Sequence, residues 1–131
     1  MSLEKNKKRL QIGFGVPYFN IFDEYDNKSE VSVFGNVNII AKNYKKFLKR
    51  NGYSDYSLDT FEREIKSAVI PCVKQAVANA PKRFKLSCPK IEQKTEQIAN
   101  EIKRDLSGIL KKRYKVKLIN IEILSINCIE I

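Results

Sequence analysis

The chain has 131 residues and contains no histidine and no tryptophan. The missing histidine removes the commonest general base and the commonest metal ligand. Cysteine is scarce and scattered: Cys72, Cys88 and Cys128 form no CxxC pair. An odd count argues against a disulfide framework, and a zinc site needs about four ligands, usually in paired spacings. Buried free thiols in a reducing compartment are the simplest account. No apolar run approaches the ~18 residues that a membrane helix needs. The opening "MSLEKNKKRL" is basic but has no apolar core, so it does not read as a signal peptide.

Catalytic constellations are missing as well. Cys72 sits in an apolar stripe with no histidine to activate it. The i, i+4 pairs Glu62/Lys66 and Glu101/Asp105 read as solvated helix faces. Gly13 and Gly15 stand in a strand-and-turn context, whereas a phosphate loop leads into a helix N-terminus. The expectation is no catalytic residue, no cofactor and no metal.

What the chain does have is positive charge, formally +10. It carries 19 Lys against 6 Arg, with 11 Asn and 16 Ile, which points to a general compositional bias towards these residues. A functional basic face is the competing account, since such a surface attracts anionic lipid or nucleic acid. The densest run is Lys42, Lys45, Lys46, Lys49 and Arg50, the candidate basic contact patch. Lys82, Arg83 and Lys85 form a second run, and Lys111, Lys112, Arg113, Lys115 and Lys117 a third. Acidic residues gather in "DEYDNKSE" at 23–30.

Residues 1–9 are expected to be disordered or tag-like, and residues 10–131 to form one domain. "LQIGFGVPYFNIF" suggests a short strand ending near Gly15–Pro17, and "DEYDNKS" a polar turn. In "VSVFGNVNIIAKNYKKFL", Val31, Val33, Val37, Ile39 and Ala41 share one strand face. Gly35 marks a bulge or a close backbone approach. Asn43 then caps a short helix on which Tyr44, Phe47 and Leu48 share a face, and Gly52 ends it. Ser57 caps a long helix whose stripe runs from Leu58 through Phe61, Ile65, Val69 and Val73 to Val77. Pro71 inside it predicts a kink or break near Ser67–Pro71. "APKRFKLS" reads as a link. Pro89 opens a second long helix, capped by Ser87 or Cys88, with Ile91, Ile98, Ile102, Leu106 and Ile109 in line to about Arg113. The last segment alternates at Ile119, Ile121 and Ile123, and its phase becomes unclear after Leu124.

Strands, then helices, then a strand define an α+β class. The expected architecture is a small antiparallel or mixed sheet, a short helix and two long helices packed on it, and a closing C-terminal strand. Phe61, Ile65, Val69, Ile98, Ile102 and Leu106 are its predicted core.

"VSVFGNVNIIAKNYKKFL" resembles the strand-to-helix stretch of the SPFH or Band 7 domain of stomatins, prohibitins and flotillins. "YKVKLINIEILSI" (114–126) resembles that domain's closing motif. "FGVPYFNIFD" (14–23) resembles the bacterial branch that often carries a C-terminal zinc ribbon. The resemblance spans about residues 12–126. Lys115 stands where the family usually has Gly, which argues against a left-handed turn there, and Lys42-Asn43 replaces Asp-Pro. Pro71 is not typical of the family helix, and the first family strands, the membrane-attaching segment and the zinc ribbon are absent.

The resemblance implies a non-enzymatic scaffold, part of a longer protein, that forms homo-oligomers and organises partners at a membrane surface. It places the chain in the cytoplasm, peripheral to a membrane that the parent protein contacts. A small basic nucleic-acid-binding module is the alternative. The tail "LINIEILSINCIEI" is apolar. A strand of its length would overrun a small sheet, so Val116–Ile123 is expected to pair internally. The rest is either packed or an exposed edge for self-association at Leu124, Ile126, Ile129 and Ile131.

Overall fold

Alternation at the start of the chain carries further than expected. The computed structural model describes residues 7–130 and has its first strand, β1, at Lys7–Phe22. Leu10, Ile12, Phe14 and Val16 are buried at every second position. Residues 1–6 of the expected disordered N-terminus lie outside the described residues, but Lys7, Lys8 and Arg9 belong to the strand and pair with Lys42, Ala41 and Ile40. Nor does β1 stop at Pro17. Pro17 and Tyr18 face the single residue Ser32 in a bulge, and pairing resumes at Phe19 opposite Val31. The bulge accommodates a residue that has no N–H for the ladder.

The turn to β2 (Lys28–Lys42) is organised by Asp23. Its Oδ1 accepts from the backbone N–H of Tyr25 and of Asn27, both at 2.9 Å, and its Oδ2 accepts from Asn27 Nδ2 at 3.0 Å. Strand β2 then runs antiparallel to β1, with Val31, Val33, Val37, Ile39 and Ala41 buried as their alternation requires. The two Phe-Gly dipeptides meet across this pair: Phe14 lies opposite Gly35, and Gly15 opposite Phe34. A Cβ on Gly35 would collide with the Glu122 carbonyl and stand 2.7 Å from the Phe14 ring. One on Gly15 would come within 3.1 Å of the Phe34 ring. Each ring thus covers the glycine across from it, Phe14 on the buried face and Phe34 on the exposed one.

The closing strand β3 (Val116–Glu130) pairs antiparallel with the other edge of β2, which gives an open sheet of order β1-β2-β3. It does not overrun the sheet. β2 is equally long, and pairing continues from Ala41↔Val116 to Ser29↔Glu130. Two bulges make this possible. Ile119 is extra between the pairs of Ile39 and Asn38, and Leu124 is extra between those of Gly35 and Phe34. Each bulge resets the phase, so Val116, Leu118, Ile121 and Ile126 are the buried residues. Ile119 therefore does not share a face with Ile121, as a regular alternation had predicted.

Between β2 and β3 the chain forms three α-helices. α1 (Tyr44–Arg50) begins at Asn43, whose side chain accepts from Lys46 N at 3.3 Å. It ends at Asn51, followed by Gly52 at φ 80°. α2 (Leu58–Phe84) is capped by Ser57, which accepts from Thr60 N at 3.2 Å. Beside this cap, Asp55 Oδ2 accepts from Thr60 Oγ1 at 2.8 Å. Pro71 does not break α2, because packing of its apolar stripe on the core holds the turn that the missing hydrogen bond weakens. Nor is "APKRF" a link: Ala80 and Pro81 are buried, and the helix runs on to a left-handed Lys85.

A 3₁₀ segment (Cys88–Lys94), opened by Pro89, leads into α3 (Thr95–Ile109). A π turn (Leu110–Tyr114) ends the helical run. Ile91, Ile98, Ile102 and Leu106 are buried as predicted, and the wide last turn keeps Leu110 and Tyr114 on the same buried side. α2 packs over β1, α3 over β3, and the two helices pack together above the sheet. Phe61, Ile65 and Val69 complete the predicted core between these layers.

Candidate functional site

The sheet's end at Lys7, Lys42 and Val116 collects two of the three basic runs. The chain leaves β2 through Asn43, left-handed at φ 49°, and α1 folds back at once. Its apolar side is held by aromatic rings. Tyr44 and Phe47 lie 5.5 and 5.8 Å from Phe61, and Phe47 lies 5.3 Å from Tyr114. Such pairs contribute roughly 0.5–1.5 kcal/mol each beyond their buried area. The Phe47–Tyr114 contact ties α1 to the π turn, and Lys115, left-handed at φ 57°, turns the chain from there into β3. The left-handed turn that a lysine argued against is therefore present.

Two runs distant in sequence are thereby joined. A groove of about 730 Å³ is lined by Lys7, Lys42, Lys111, Lys115 and Lys117 over Ile40, Val116 and Leu118. A smaller one of about 250 Å³ shares Lys42 and Lys115 and adds Lys46, Arg50 and Arg113 beside Phe47 and Tyr114. Neither lining contains a carboxylate. None of these cations has an ion-pair partner among the described residues, where the recorded pairs are Arg83–Glu101 and Arg104–Asp105.

Of the candidate contact patch, Lys42, Lys46 and Arg50 line the grooves, while Lys45 and Lys49 are exposed on α1 outside them. The run at 82–85 takes no part: Arg83 bridges to Glu101 on α3 and lies 5.0 Å from the Phe84 ring. Sequence reasoning missed Lys7, assigned to a disordered end, and did not join the third run to the first. The only sequence signal for that junction was an aromatic in each run, Phe47 and Tyr114.

The candidate self-association edge is divided by the Leu124 bulge. Leu124 is 63% exposed and Ile129 48%, whereas Ile126 is 7% exposed and faces the core opposite Val33. The expectation that Ile126 forms part of an exposed edge is therefore corrected, and Ile131 lies outside the described residues. The solvent face around them is rich in amides. Asn38 Nδ2 donates to Asn120 Oδ1 at 2.6 Å, and Phe34, next in register to the bulge, is 47% exposed.

Cys88 is buried, and Cys72 and Cys128 are half-buried. Burial pushes all three thiols up, with the Asp105 carboxylate adding to the effect at Cys72, so they stay protonated at neutral pH. At the hairpin, the Asn27 side chain, followed by backbone N–H donors, holds the Asp23 carboxyl below its ordinary value. The Thr60 hydroxyl does the same for Asp55, helped by Ser57. Among the described residues, no three His, Cys, Asp or Glu side chains are grouped to hold a metal ion, and no helix is long and apolar enough to cross a membrane.

The chain matches no protein-family profile and no curated protein.

Proposed function

We propose that this domain is a non-enzymatic scaffold that self-associates, as its resemblance to SPFH or Band 7 domains implies, and organises partners at a membrane surface. The observation that supports this best is the outer edge of β3. Among the described residues the strand pairs only with β2, and its free side follows an apolar stretch with Leu124 and Ile129 exposed. An unpaired edge carries open N–H and C=O groups that another chain can complete. The bulge at Leu124 sets that side chain outward while Ile126 stays in the core, so association does not require the domain to open.

Substituting Leu124→Lys with Ile129→Lys and measuring mass by light scattering tests the reading. Oligomers of the wild-type chain should dissociate while the melting temperature holds. A wild-type chain that is monomeric at high concentration would reject self-association.

A further inference from the structure

We propose that the paired grooves between α1, the π turn and the start of β3 form a binding site for clustered phosphate groups. Eight cations line the two grooves, with Lys42 and Lys115 common to both and no carboxylate in either lining. Like charges that line one groove repel one another. Here their backbone frame is fixed, since α1, α2 and the π turn are locked together through Phe47, Phe61 and Tyr114. A ligand with several negative charges removes that repulsion, which a single small anion does only in part.

The larger groove, at about 730 Å³, falls within the roughly 300–1,000 Å³ of small-ligand sites. Its lining also includes Ile40, Val116 and Leu118.

Lys115, a cation shared by both grooves, is left-handed at φ 57°, which strains its backbone by about 1–2 kcal/mol that glycine would avoid. The site does not rest on self-association, since Leu124 and Ile129 lie in the opposite half of β3.

Calorimetric titration with inorganic tripolyphosphate at low ionic strength tests the site. Flotation compares phosphatidylcholine vesicles carrying phosphatidylinositol bisphosphate with phosphatidylserine vesicles of equal charge. The wild-type chain should bind one phosphate cluster saturably. Tripolyphosphate binding would assign a soluble ligand, and binding confined to the phosphoinositide vesicles would assign a lipid headgroup.

Lys42→Gln with Lys115→Gly should weaken binding by about tenfold. Lys115→Gly alone should raise the melting temperature, which separates lost affinity from lost folding. Lys46→Gln with Lys111→Gln should also weaken binding, without touching the strained backbone. Lys82→Gln with Lys90→Gln makes the same change in net charge outside the grooves and should leave affinity unchanged. Equal weakening by that pair would overturn the proposal. So would the absence of saturable binding to either probe, or duplex nucleic acid held at the same lysines more tightly than tripolyphosphate.

Discussion

The two ends of the sheet handle charge differently. At the hairpin end, Asp23 accepts three hydrogen bonds from Tyr25 and Asn27, and its charge serves to close a turn. At the opposite end the groove cations have no carboxylate in their lining and no ion-pair partner among the described residues. The same contrast holds between Asp55, bonded to the cap of α2, and Lys115, held in a strained turn. A charge absorbed by nearby donors is part of the fold. A charge left without a partner on a rigid frame is available to something outside it.

Three perturbations sharpen that contrast. The largest effect belongs to the core that both ends share. Ile102 is fully buried on α3, and Ile102→Ala should destabilise the protein by ~2–5 kcal/mol. Denaturant unfolding followed separately by probes at the two ends should shift together. An unchanged midpoint would mean that the core has been misplaced.

Next is Phe47→Ala, which removes the ring between Phe61 and Tyr114. Full burial of such a ring contributes roughly 1.5–3 kcal/mol, and because Phe47 is half-buried a loss at or below the lower end of that range is expected. Hydrogen exchange should accelerate across α1 and residues 110–118 while the Asp23–Asn27 turn keeps its protection. Uniform acceleration would show that the basic end is not held by this contact.

The smallest effect is at the hairpin and depends on pH. Hydrogen bonds, led by that of the Asn27 side chain, hold the Asp23 carboxyl below its ordinary 3.8. Its contribution to stability is therefore fully present above that value and lost as pH falls through the lower folded-state value. Asp23→Asn should be less stable than wild type at neutral pH, and the gap should narrow in acid. A gap that stays constant with pH would remove the charge from the explanation.

Much of the fold was legible in the residues. Valine alternation placed β2, the i, i+3 and i+4 stripes placed α2 and α3, and Asn43, Gly52 and Ser57 marked helix ends that the structure reproduces. The misreadings have local causes. Pro17 and Pro71 look like breakers, but a bulge absorbs one and core packing the other. Lys7–Arg9 look disordered by composition, but the end of β2 provides a partner. The two bulges of β3 made its phase unreadable beyond Leu124 and misplaced Ile119 and Ile126.

The site was legible only in pieces. Lys42, Lys46 and Arg50 were marked by density of charge, and Lys111–Lys117 stood as a separate run. Residue chemistry and spacing by themselves determined the α+β class, the order of the elements and the buried helix faces, because periodicity and capping act between near neighbours in the chain. Tertiary structure alone decided the register of β3, the exposure of Leu124 beside the burial of Ile126, and the meeting of the two basic runs. Those features depend on which backbone hydrogen bonds and rings meet across the sheet, and contacts between residues distant in sequence leave no period to read.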